Sequence, residues 1–216
     1  MKWSEQAWKT IEGRYDAILQ LPFINELAAG SLGIPKFRFY MMQDSIYLEH
    51  FGRALALIGA RAHGIQDALA YMRFAENAIL VENALHESYF KDFNVTERGD
   101  IQPACHHYVH FLRSTAAIDA VEVAMAATLP CFWIYKNVGD HIYQTQRSSN
   151  NPYQKWIDTY SGEEFAIAVK SAIDMCDSAA EHTSAAIRKK MTEAFVTSSI
   201  MEYHFWEAAY DLKTWG

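Results

Sequence analysis

Apolar residues recur at three- and four-residue intervals along almost the whole of this 216-residue chain, and that periodicity constrains the fold more than any other feature. Such spacing gathers apolar side chains on one face of a helix. No stretch shows convincing period-two alternation with β-branched enrichment, and the Gly-rich strand-to-helix turns of an α/β protein are missing. The pattern predicts roughly eight to ten helices. They run from about Trp3 to Leu19, from Leu21-Pro22 to near Gly30, and from Gly33-Ile-Pro35 to about Ala62. Next come Gln66 to about Phe93, His106 to Ala127, and Leu129 to Gln146 after or through a Pro130 kink. Tyr153 to Tyr160, Glu163 to about Ala180, and Ser184 to about Lys213 complete the set. Asn94 to Pro103 and Ser148 to Pro152 read as loops, neither long enough for a domain linker, and no internal repeat is visible. Residues 1–216 are therefore expected to form a single all-α domain, an orthogonal or up-and-down helical bundle.

Half of the residues are hydrophobic and 14% are aromatic, which calls for a packed, aromatic-lined interior, a buried oligomer interface, or both. The net charge is -7, and the densest basic run, Arg188-Lys-Lys190, is short. Nucleic-acid and anionic-membrane roles get no electrostatic support. Cys105, Cys131 and Cys176 are an odd number without CxxC spacing, which argues against a disulfide framework and for a reducing compartment. Met1-Lys-Trp-Ser-Glu5 has no apolar signal core, and no uninterrupted apolar run is long enough to span a bilayer. The expectation is a soluble cytoplasmic protein.

Three places could carry chemistry. In Tyr40-Met-Met-Gln-Asp44-Ser-Ile-Tyr47-Leu48-Glu-His-Phe51, helical spacing puts the Asp44 carboxylate on the face of Tyr47, Leu48 and Phe51. Asp44 there either meets a polar ligand or internal donor, or sits solvated at the edge of the stripe. Cys131 follows Pro130; if proline begins a helix, the thiol lies near unpaired backbone N–H groups that favour a thiolate, and otherwise it is a small buried hydrophobe. Tyr135 lies one turn further on the same face. Glu202 shares a face with Phe205 and Trp206, where it is either an acid of raised pKa suited to proton transfer or an exposed residue at the stripe's edge. Tyr108 and Tyr160 offer stacking faces and hydroxyls, or are core aromatics.

Metal signals are thin. His86-Glu87 lacks the second histidine of a zincin helix, since Phe90 holds that position. His106 and His110 form an i, i+4 pair that exposed helical histidines explain as well. Glu82 with His86, or Glu202 with His204, do not make the two Glu-x-x-His pairs of a di-iron bundle. GxGxxG, Walker and Gly-x-Ser-x-Gly motifs are absent.

Taken in order, these pieces resemble the TenA family, thiaminase II or aminopyrimidine aminohydrolase, of the haem-oxygenase-like all-α fold. The likeness spans nearly the whole chain. Its anchors are Gln43-Asp44-Ser-Ile-Tyr47-Leu48, Leu85-His86-Glu87, Pro103 with Tyr108, and Leu129-Pro130-Cys131-Phe-Trp-Ile-Tyr135. Pro152-Tyr153-Gln-Lys-Trp156-Ile-Asp-Thr-Tyr160 and Glu202-Tyr-His-Phe205-Trp206 complete them. The resemblance implies Cys131 as nucleophile, Glu202 as acid/base, and Asp44 as the carboxylate that holds an aminopyrimidine through its amine and ring nitrogen. It also implies a pocket lined by Tyr47, Tyr108, Tyr135, Tyr160 and Phe205, with Tyr153 the alternative to Tyr160. Cys131 matches the cysteine-containing branch. The implied reaction converts 4-amino-5-aminomethyl-2-methylpyrimidine to its 5-hydroxymethyl analogue and ammonia, in thiamine salvage, with thiamine cleavage as related chemistry. A homotetramer without metal or organic cofactor is implied too. The alternatives are a di-iron oxidase of the same fold and a non-catalytic pyrimidine-binding or regulatory protein.

Overall fold

Prolines fix the starts of three helices, because a first-turn residue needs no N–H and proline's φ is already helical. Pro22, Pro35 and Pro103 play this part. The computed structural model describes residues 1–93, 95, 97–146 and 150–216, the side chains of 81–84 excepted. Residues 94, 96 and 147–149 of the two expected loops thus lie outside the described residues, as does the side chain of Glu82. Among the described residues there are nine helices and no strand: α1 (Trp3–Leu19), α2 (Pro22–Ala29), α3 (Ile34–Arg61), α4 (Ile65–Asp92), α5 (Pro103–Ile118), α6 (Val121–Thr145), α7 (Gln154–Ser161), α8 (Glu163–Glu181) and α9 (Ala185–Asp211). The chain is an all-α bundle, as the periodicity predicts. No helix among the described residues is long and apolar enough to cross a membrane.

One boundary departs from the sequence expectation. The break foreseen between Ala127 and Leu129 falls instead at Asp119-Ala120, and α6 continues through Pro130. The cause is tertiary. Arg61, at the end of α3, donates its guanidinium to the carbonyls of Ala116 and Asp119 and satisfies the C-terminal turn of α5 from outside. Pro130 removes one bond of the α6 ladder, to the carbonyl of Ala126. The neighbouring carbonyl, Ala127 O, accepts the hydroxyl of Ser198 from α9 at 2.6 Å, so the distorted turn is supported.

The packing is arranged around α3 and α6. Helix α3 lies chiefly on α4 and α5, and α6 lies on α9, α7 and α8. One core joins them, with Tyr40, Tyr47, Tyr108, Trp156 and Trp206 fully buried. Each such aromatic contributes roughly 1.5–3 kcal/mol by leaving water. Gly139 brings α6 onto α7: a Cβ there would meet the backbone of Tyr160 at 2.7 Å. Helix α7 is thereby pressed against the middle of the bundle, where the site lies.

Candidate active site

A cavity of about 410 Å³ opens between α3, α4, α6, α7 and the start of α8. Its walls are aromatic, with Phe51, Phe74, Phe132 and Phe165 beside Tyr135 and Tyr160. Asp44 and Cys131 supply the polar end, and Asp158, Glu163 and Glu164 also line it. Apolar walls with a few convergent polar groups are what a flat organic ligand requires.

Asp44 is 1% exposed, which removes the solvated-edge reading of that residue. Its Oδ2 lies 3.1 Å from Nε2 of His86, itself buried on α4. Wherever the carboxylate is the acceptor of this bond, the imidazole donates from Nε2. Behind Asp44, Trp156 Nε1 donates to Tyr40 Oη and Tyr40 Oη donates to Tyr135 Oη, each at 3.2 Å. The Tyr135 ring then packs on Tyr160 at 4.9 Å, so the cavity wall is braced from within.

Cys131 departs from expectation in its surroundings. It sits in the interior of α6, a turn and more from either end, so no helix N-terminus activates it. Burial pushes the hydroxyl of Tyr47 well above its ordinary pKa, and Cys131 is the next largest influence on it. Tyr47 Oη has no hydrogen bond to N or O of standard geometry among the described residues, and its neighbours are the Cys131 sulfur and the Tyr108 hydroxyl. Cys105 and Cys176 are different: burial pushes both thiols well up, and neither lines the cavity.

Glu202 is also 1% exposed, so it is no stripe-edge residue. Tyr108 donates its hydroxyl to Glu202 Oε1 at 2.7 Å. Burial raises the carboxyl to about 8; the Tyr108 bond opposes that shift and the charge of Asp44 adds to it. With Oε1 accepting from tyrosine, the carried proton belongs on Oε2. Glu202 is thus a neutral acid at pH 7 within reach of the influence of Tyr47, Tyr108 and Tyr135.

Of the residues singled out from sequence, Asp44, Cys131, Tyr135 and Tyr160 line the cavity. Glu202, Tyr47, Tyr108 and Phe205 form a buried layer beneath it, held by ring contacts of Tyr47 with Tyr108 (4.8 Å) and Phe205 (5.7 Å). Tyr153 faces elsewhere: its hydroxyl bonds to the Leu32 carbonyl and its ring packs on Phe37. The sequence reading missed His86 as the partner of Asp44, because a separation of 42 residues leaves no local signal. It also missed Phe74 and Phe165, which helical spacing marks only as core. His106 packs ring to ring on His110 and onto Trp215, and among the described residues no three His, Cys, Asp or Glu side chains converge to hold a metal.

Fold and site define an all-α protein of the haem-oxygenase-like class. A domain from Shewanella denitrificans described as having a heme oxygenase-like fold superposes with a TM-score of 0.77 at 14% identity, covering 96% of this chain and 92% of that one. The TenA homologue of P. horikoshii superposes with a TM-score of 0.89 at 25% identity, covering 98% of this chain and 99% of that one. The aminopyrimidine aminohydrolase of Bacillus subtilis is 32% identical over 220 residues, 100% of this chain and 92% of that protein. The chain belongs to the TENA/THI-4/PQQC family, whose model matches residues 8–212.

Proposed function

We propose that the protein is an aminopyrimidine aminohydrolase, or thiaminase II, that hydrolyses 4-amino-5-aminomethyl-2-methylpyrimidine to the 5-hydroxymethyl pyrimidine and ammonia in thiamine salvage. The observation that carries this reading is a thiol and a buried anchoring carboxylate at one aromatic-walled cavity, with a neutral carboxylic acid in the buried layer beneath it. The Bacillus subtilis relative, an aminopyrimidine aminohydrolase, supports it.

The chemistry needs those three groups. An amine on a methylene attached to an aromatic ring is a poor leaving group for direct displacement by water. In this reading Asp44 holds the pyrimidine through its amine and ring nitrogen, while Tyr135 and Tyr160 hold the ring flat. The Cys131 thiolate adds to the neighbouring ring carbon, and the ring nitrogen takes up the displaced electron pair. Tyr47, beside the sulfur, stabilises the thiolate that a mid-helix position does not. The ring electrons then expel the amine as Glu202 hands it a proton. Water adds to the exocyclic methylene and returns a proton to Glu202, and the thiolate leaves to restore the ring. Every proton is accounted for by the chain's own groups, and the residues call for no metal or organic cofactor. Thiamine fits the same steps with thiazole as leaving group.

Residues 1–216 act in this reading as one domain, in a cytoplasmic homotetramer. Exposed Ile65, Ile118 and Ile167 are apolar surface that assembly would cover, and light scattering measures the assembly. The test of function is ammonia release from the aminomethyl pyrimidine, wild type beside Cys131→Ser. Turnover in wild type alone is the expected result. Equal turnover in both moves the chemistry to the carboxylates, and none in either refutes the assignment.

A further inference from the structure

Asp44 has a partner that the steps above do not use. His86, 3% exposed, holds Asp44 Oδ2 at 3.1 Å and also lines a second cavity of about 370 Å³, with Glu49, Glu87 and Arg98 around it. Ala78 lines both cavities. The Asp44–His86 pair therefore spans the wall between them, carboxylate on one side and imidazole on the other.

A carboxylate this deeply buried takes up a proton unless a donor holds it ionised. Which form it takes decides what it can bind. A neutral Asp44 offers one donor and one acceptor, matching the amine and bare nitrogen of a neutral aminopyrimidine. An ionised Asp44 offers only acceptors. It then matches an amine beside a protonated ring nitrogen, which presents two donors and a positive charge. We propose that His86 is a positioning residue that keeps Asp44 ionised and oriented, so that the site selects the ring-protonated, cationic aminopyrimidine. This rests on the aminopyrimidine reading above and names the form of substrate it takes. It also fits the chemistry, since a ring already carrying the proton accepts the electron pair of thiolate addition without a further transfer.

Among the described residues, the groups facing the pair include Glu49 from α3, Glu87 on α4, Arg98 from the following loop, Cys105 from α5, Tyr135 from α6 and Glu202 from α9. Arg98 is engaged by Glu49 at 3.3 Å, which leaves the imidazole as the donor on Asp44 itself.

The experiment is calorimetric titration of wild type, His86→Leu and His86→Gln with 4-amino-5-hydroxymethyl-2-methylpyrimidine between pH 5.5 and 8.5. This is the reaction's product, which binds without net turnover, and circular dichroism checks each fold. His86→Leu is expected to weaken binding about tenfold to a hundredfold, the loss expected for a hydrogen bond to a charged group. In wild type the affinity falls as pH rises and the ring loses its proton, and His86→Leu lessens that dependence because Asp44 loses the donor that holds it as an acceptor. His86→Gln carries an amide donor to the same reach and stays within about threefold of wild type. In turnover, KM rises in His86→Leu far more than kcat falls. A folded His86→Leu with wild-type affinity and pH dependence overturns the proposal, as does a His86→Gln as weak as His86→Leu. Should His86→Leu not fold, His86→Asn replaces it, since its amide is too short to reach and the same loss is expected. Wild type that binds the pyrimidine but releases no ammonia refutes the hydrolase and leaves this proposal standing. Wild type that does not bind refutes both.

Discussion

Replacing Glu202 with glutamine should make the protein more stable at alkaline pH while removing its activity. The side chain is fully buried, and its carboxyl moves from 4.5 to about 8. The folded state therefore holds this proton more tightly than the unfolded chain does. Stability from the protonated form is complete below about pH 4.5 and is lost as pH rises through about 8. At about 1.4 kcal/mol per pKa unit, the penalty above the window is roughly 5 kcal/mol. Glutamine keeps the shape and still accepts the Tyr108 hydroxyl, but it cannot ionise. Urea unfolding of both proteins at pH 5 and pH 9 measures the effect. At pH 5 the two should differ little; at pH 9 Glu202→Gln should be the more stable, by up to roughly 5 kcal/mol. Ammonia release should disappear in the variant at both values, because an amide cannot protonate a departing amine. Parallel stability curves from pH 5 to 9 would refute the assignment of a buried, titrating acid.

Three further outcomes are expected. Tyr108→Phe removes the donor that holds the Glu202 pKa down, so the alkaline limb of kcat should move upward by about one to two pH units, the worth of a hydrogen bond to a charged group; a pH–rate profile reads it. Asp44→Ala should abolish pyrimidine binding as well as turnover, and retained affinity in calorimetry would take Asp44 out of the anchoring role. Gly139→Ala forces a methyl against the Tyr160 backbone at 2.7 Å, so it should cost about 1–3 kcal/mol in urea unfolding and raise KM by displacing that wall.

Much of the architecture is written locally. Helical periodicity, with Pro22, Pro35 and Pro103 at helix starts, determines an all-α chain, because both signals act within one turn of backbone. The same spacing marks Asp44 and Glu202 as carboxylates inside aromatic stripes, and its place after Pro130 sets Cys131 apart from the other two cysteines. What those groups are was decided between helices. Arg61 ends α5 from across the bundle, and Ser198 supports α6 where Pro130 interrupts it, so the expected break moved and Cys131 lost its helix terminus. His86 reached Asp44, Tyr108 reached Glu202, and Tyr160 rather than Tyr153 turned to the cavity. A pKa depends on burial and on partners brought from distant segments, and neither is a property of neighbours in sequence. The chain alone determined which residues could do chemistry; the packing of α3, α4, α5, α6 and α9 decided their protonation and their partners.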